Sequence, residues 1–412
     1  MRAYWRSFLI GLALVAAPAG ARERGQWVEA WQSSPAANLL ADPETISMLA
    51  KMVGIPPEAA AKLQPKAMTG TLRYRLRLYA SGSEVRIRLS NEEGKTPLRI
   101  AAASIGLAGD GFNAATGSIR TVTFGGKSGI TLPAGAPALS DPIQLSVKRG
   151  AEIIVSLHPQ DPFLPEIGGA GVAVSPGDQT AAESLGELKR IQQRPIVTGI
   201  SVLSPARTNV IVAFGDSITD GNRPTTSELQ SWPERLSQRL AEKSGDRWSV
   251  VNAGISGNCL LDTFMGDAAL SRLDRDVLRV EGVTHIVLLE GINDIRKVGS
   301  ETPVTSEDLI GAYRQIIARA HGKGIKVFIG TLLPASGSPS HGTPEKDAVR
   351  RAVNDWIRSS SGADAVIDFD KAIRDPADPS KMSKQFDSGD HLHPNPEGSK
   401  AMADAIDLRL FK

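Results

Sequence analysis

The chain has little cysteine, little net charge and few long apolar runs, and each shortage removes a class of function. Cys259 is the only cysteine, so no intrachain disulfide can form. It lies far from the amino terminus, which rules out a lipid-modified N-terminal cysteine, and a lone cysteine most often serves as a small buried apolar residue. The formal net charge is +2 and no Lys/Arg block stands out, so nucleic-acid binding has no support. Residues 8–17 form the one long apolar run, too short to span a bilayer comfortably. Arg2 and Arg6 precede it and Ala19, Gly20 and Ala21 follow it, so residues 1–21 read as a secretory signal peptide. The expectation is a secreted or periplasmic protein with no stable membrane anchor after signal cleavage. Internal repeats and low-complexity tracts are missing as well.

What is present is an ordinary globular composition, 41% hydrophobic and 22% charged, with length enough at 412 residues for two domains. Residues 22–205 are dominated by a period of two. Residues 71–80 (TLRYRLRLYA) set Leu72, Tyr74, Leu76 and Leu78 against Arg73, Arg75 and Arg77, and residues 84–90 (EVRIRLS) repeat the alternation. That pattern predicts antiparallel strands with one face on a core. Ser81, Gly82 and Ser83 between them predict a hairpin turn, and the arginine rows predict a solvated face that discourages edge pairing. Further strands are expected at 98–107, 118–124, 143–147, 152–157 and 197–203, separated by Gly and Pro clusters. A short helix is expected at 43–53, with Asp42 as its N-cap. Many short strands with turn signals imply an all-β sandwich or a jelly-roll-like domain.

After Pro205 the pattern changes. Apolar strand candidates at 210–214, 248–251, 284–289, 325–331 and 365–368 alternate with helical segments at 232–243, 268–279, 306–321, 344–359 and 396–410. Strands alternating with helices predict a doubly wound α/β domain over residues 206–412, a five-stranded parallel sheet between helical layers. Right-handed crossovers bring the turns after such strands to one edge, where ligands bind. Ser217, Gly257 and Asn293 all follow strands of this set. Since they and the later Asp390 and His393 lie beyond Pro205, residues 206–412 are expected to act alone on a small substrate.

The first of these turns organises the rest. Residues 209–221 read NVIVAFGDSITDG, a strand that ends at Gly215 with a serine just beyond it. A serine hydroxyl needs a base to take its proton, and the base needs a third group to hold its tautomer. His393 and Asp390, three residues apart, can supply both. The same segment carries His391, so Asp390, His391 and His393 could instead ligate a metal. Asp216, Glu290 and Asp294 could form a two-carboxylate glycosidase site. Gly257 permits close backbone approach, and Asn293 carries an amide donor.

Four stretches recur in order: Gly215-Asp216-Ser217, NAGISGN at 252–258, Gly291-Ile292-Asn293-Asp294, and Asp390-His391-Leu392-His393-Pro394. Together they resemble the four blocks of the SGNH hydrolases, the GDSL-type esterases and acylhydrolases, over about residues 210–410. The resemblance implies a flavodoxin-like three-layer fold and a serine carboxylic ester hydrolase using neither cofactor nor metal. It implies Ser217 as nucleophile, His393 as general base and acid, and Asp390 as its orienting partner. The oxyanion donors it implies are the N–H groups of Ser217 and Gly257 and the side-chain amide of Asn293. A β domain joined to LEGIND and DSGDHLHPN is similar to the xylanolytic acetylesterase-like subgroup. The substrate implied is therefore an acetylated poly- or oligosaccharide. Lipase, lysophospholipase or thioesterase activity is the enzymatic alternative, and an inert carbohydrate-binding or adhesion protein the non-enzymatic one.

Overall fold

The computed structural model describes residues 25–37, 43–52, 66–164, 170–194, 196–205, 207–221 and 231–412, with Pro56 and Ala59. The expected signal peptide and the Asp42 cap lie outside these residues, while the first helix itself is Pro43–Met52.

The amino-terminal domain is built from antiparallel strands. Among the described residues one sheet has four strands, in the order β1 (Gln26–Gln32), β11 (Val197–Ser204), β3 (Val85–Asn91) and β7 (Ala136–Leu139). The other has seven. Its main path runs β10 (Lys189–Gln193), β9 (Ala170–Ser175), β2 (Thr71–Arg77), β8 (Glu152–Pro159), β4 (Leu98–Leu107) and β5 (Arg120–Thr121). The remaining strand, β6 (Ile130–Leu132), pairs with β4. Leu72, Tyr74 and Leu76 of one sheet and Val85, Ile87 and Leu89 of the other enter the same buried apolar cluster.

Two expectations fail here for physical reasons. Residues 81–83 do not close a hairpin, because β2 pairs with β8 and β9 whereas β3 pairs with β11 and β7. Alternation says which face of a strand is buried, not which strand lies beside it. Nor is the arginine row of β2 a solvated face. Arg73 is 0% exposed, its guanidinium donating to the carbonyls of Phe112, Gln179, Ala182 and Glu183 and its Nε to Ser156 Oγ. Arg75 pairs with Glu152 and with the Gly109 carbonyl. These arginines tie covering loops down onto the sheet. Residues 143–147 make only isolated bridges, Val147 to Gly82 and Ile143 to Val85.

β11 ends at Ser204, and the second domain opens at Asn209 with β12 (Asn209–Gly215). Val210, Ile211, Val212, Ala213 and Phe214 are all fully buried, as expected of a strand covered on both faces. β13 (Trp248–Gly254), β14 (Val283–Leu289), β15 (Lys326–Gly330) and β16 (Ala365–Ile367) complete a five-stranded parallel sheet in the order β13-β12-β14-β15-β16. Helices Trp232–Ser244, Ser306–His321, Pro344–Ser360 and Pro396–Ala405 connect and cover it. Capping boxes at Ser231/Glu234 and Thr305/Asp308 satisfy the first free N–H groups of two of them. The strand order reverses at β12, so the loops after β12, β13 and β14 share the crevice at the sheet's carboxyl edge.

The two domains are fastened by polar contacts. Ser249 Oγ donates to the Glu29 carbonyl at 2.8 Å, and Arg149 reaches both the carbonyl and the hydroxyl of Ser237 at 2.6 Å. No helix among the described residues is long and apolar enough to cross a membrane.

Candidate active site

Ser217 opens a single helical turn, Ser217–Asp220, immediately after β12. Asp216 caps the turn, its Oδ1 accepting from Ile218 N at 2.9 Å. A Cβ on Gly215 would stand 2.1 Å from the Leu289 carbonyl oxygen, so only glycine lets the strand end this close to β14.

The loop before helix Pro396–Ala405 brings His393 to Ser217. Ser217 Oγ lies 2.8 Å from His393 Nε2, and His393 Nδ1 lies 2.5 Å from Asp390 Oδ2. Asp390 Oδ1 also accepts from Leu392 N and His393 N. Partial burial opposes its ionisation, but the hydrogen bonds from the ring and these two amides outweigh it and hold the carboxyl well below the usual range. His391, the rival histidine, instead pairs with Asp387 at 2.6 Å, in a left-handed backbone conformation (φ 62°). The cleft above these groups holds about 560 Å³, with Ser217, Ser256, Ser388, His393, Asn395 and Ser399 among its walls.

The other two site residues come from the neighbouring strand ends. Gly257 has φ 76°, and a Cβ there would meet Met265 Cγ at 2.5 Å. Asn293 is 6% exposed and its Nδ2 donates to the Asn258 carbonyl at 2.9 Å. An amide nitrogen carries two hydrogens, so this bond fixes the group and leaves one donor.

Residues 213–401 match the model of the GDSL-like lipase/acylhydrolase family. They are a GDSL-like acylhydrolase domain. Similar solved structures include a GDSL-like lipase from Bacteroides thetaiotaomicron, 21% identical, TM-score 0.37, covering 49% of this chain and 87% of that one. An acetyl xylan esterase is 22% identical, TM-score 0.38, covering 48% and 96% respectively. A lipase/acylhydrolase from Enterococcus faecalis is 22% identical, TM-score 0.38, covering 48% and 93%. No curated protein sequence matches the chain.

Beneath the site of the GDSL domain lies a charged layer whose connections the motifs do not reveal. Arg272, 1% exposed, donates to the carbonyls of Gly215 (3.0 Å) and Ala253 (2.7 Å) and to Asn258 Oδ1 (2.9 Å). It thus holds the approach to Ser217 and the loop after β13 with one planar group, while its charge is met by Asp276 at 3.0 Å. Asp294 accepts from Leu260 N and Leu261 N, and burial pushes its carboxyl up to about 6. Asp216 is likewise pushed up to about 7 by burial, and Glu290, fully enclosed, is raised too. The three carboxyls thus serve as buried supports of the GDSL domain's loops, not as a glycosidase pair facing the cleft. Sequence spacing marks the Arg272 pair with Asp276, four residues on, but not its bonds to the Gly215 and Ala253 carbonyls and the Asn258 side chain, which come from elsewhere in the chain.

Proposed function

We propose that the protein is an exported serine esterase that removes short acyl groups, acetyl above all, from carbohydrate. The observation that carries this reading is the chain Ser217–His393–Asp390, with contacts of 2.8 and 2.5 Å, opening on a solvent-accessible cleft. His393 Nε2 takes the Ser217 proton as Oγ attacks the ester carbonyl carbon. The charge on the carbonyl oxygen is met by the N–H groups of Ser217 and Gly257 and by the second hydrogen of Asn293 Nδ2. Collapse of the tetrahedral species breaks the bond to the alcohol oxygen, which takes the proton back from His393. Water, deprotonated by His393, then attacks the acyl-enzyme and releases the acid.

The cleft and the resemblance to acetylesterase-like proteins support this substrate class. Serine hydroxyls on the cleft wall, Ser399 among them, suit a hydroxylated alcohol better than an acyl chain. Replacing Ser217 with Ala is expected to abolish hydrolysis of p-nitrophenyl acetate and of acetylated xylo-oligosaccharide, and to abolish labelling by a fluorophosphonate, in a protein of unchanged circular dichroism. Undiminished turnover by Ser217→Ala would sink the reading.

A further inference from the structure

The loop carrying Gly257 is tied to the nucleophile's turn by one buried carboxylate. Asp220, the last residue of the turn and 2% exposed, accepts through Oδ2 from Ser256 Oγ at 2.7 Å and from Ser256 N at 3.1 Å. Gly254 lets the two segments approach this closely, since a Cβ there would stand 2.3 Å from Asp220 N. Asn252 adds a second tie, donating to the Thr219 carbonyl at 2.7 Å. A further donor to Asp220 Oδ2 comes from the other domain: Arg194 Nη2 at 3.3 Å. Arg194 follows β10, is 9% exposed, and donates through Nη1 to the Ser34 carbonyl at 3.3 Å.

We propose that Arg194 of the β domain is a positioning residue of the esterase, holding Asp220 aimed at Ser256. The inference rests on the serine-esterase reading. The guanidinium favours the charged form of the carboxylate beside it, and a charged carboxylate is the stronger acceptor for the two Ser256 donors. Through Ser256 this sets the position of the next residue, Gly257, whose N–H must meet the same oxygen as that of Ser217. A donor displaced by about 1 Å costs on the order of 100-fold in rate. The β domain would then be part of the active site's framework.

The test uses the full chain and compares kcat and KM for Arg194→Ala, Arg194→Gln, Arg194→Lys and Asp220→Asn, and for the double variant Arg194→Ala/Asp220→Asn, on p-nitrophenyl acetate. Arg194→Ala and Arg194→Gln are expected to lose about 10- to 100-fold in kcat with KM within about twofold. Arg194→Lys should recover part of the loss, and the double variant should be no slower than the slower single one, since both act through one link. Additive losses, a change in KM alone, or wild-type kcat in the Ala and Gln variants overturns the proposal. So does failure of both variants to fold, which would assign Arg194 to holding the domains together. Ser217→Ala, run alongside, separates the two readings. If it keeps turnover the esterase reading itself fails, whereas a dead Ser217→Ala beside a normal Arg194→Ala refutes only the present inference.

Discussion

Replacing Asn293 with Ala separates two effects that the structure lets one weigh. The substitution removes the amide hydrogen proposed to meet the oxyanion, and it removes the donor to the Asn258 carbonyl. Loss of one oxyanion donor costs roughly 100- to 1000-fold in kcat, about 2.7–4 kcal/mol of transition-state stabilisation. Leaving the carbonyl of the fully buried Asn258 without that partner costs about 1–3 kcal/mol of fold stability. Even about 3 kcal/mol taken from a total near 5 leaves more than nine-tenths of the molecules folded, so unfolding lowers the rate by less than about a tenth. The kinetic loss therefore reports the donor and not the fold. Steady-state hydrolysis of p-nitrophenyl acetate gives kcat and KM, and urea unfolding followed by tryptophan fluorescence gives the stability change. The expected result is kcat down by roughly two to three orders of magnitude with KM little changed. A rise in KM at unchanged kcat would show Asn293 binding the ground state and would refute the oxyanion assignment.

The two histidines of the last loop should separate cleanly. His393→Ala is expected to lose nearly all turnover, because it takes the base from Ser217, whereas His391→Ala, whose ring pairs with Asp387, should keep most of it. Reversed effects would place the base at His391. Stability should fall as pH rises, because burial pushes Glu29 at the domain junction from 4.5 up to about 7 even though Arg88 lies 3.2 Å away. The folded state then binds this proton more tightly than the unfolded state does. Its contribution is complete below pH about 4.5 and is lost on approach to about 7, by at most about 3 kcal/mol. Urea unfolding between pH 5 and 8 should show a shallower decline in Glu29→Gln than in wild type, and parallel lines would refute the assignment.

The grouping of the candidate site residues was legible because they sit in short local patterns. A run such as Val210, Ile211, Val212, Ala213 and Phe214 has the signature of a doubly buried strand, and a serine placed just past the end of such a strand lies at the sheet's carboxyl edge. Asp390 and His393 are three residues apart, so their pairing needs little beyond the loop itself. Periodicity likewise separated an antiparallel half from a parallel one, since periods of two and 3.6 residues report local backbone geometry. The turn residues Ser81, Gly82 and Ser83 misled in suggesting a hairpin of β2 and β3, because neither a turn signal nor periodicity carries information about sheet partners.

Only the tertiary structure decided what surrounds the reacting groups. That Arg73 is buried under loops, that Arg272 gathers the carbonyls of Gly215 and Ala253, and that Arg194 reaches Asp220 across the domain junction depend on contacts between residues far apart in the chain. Many of those contacts end on backbone carbonyls, which every residue possesses, so no residue type at the accepting end betrays them. The sequence by itself determined which groups could react and on which kind of sheet they stand. The expectation that residues 206–412 act alone came from the same local view, in which every reacting group follows Pro205. Whether they can do so depends instead on Ser34, Arg149 and Arg194, because a buried guanidinium or hydroxyl supplied by one domain leaves its partner unsatisfied when that domain is removed.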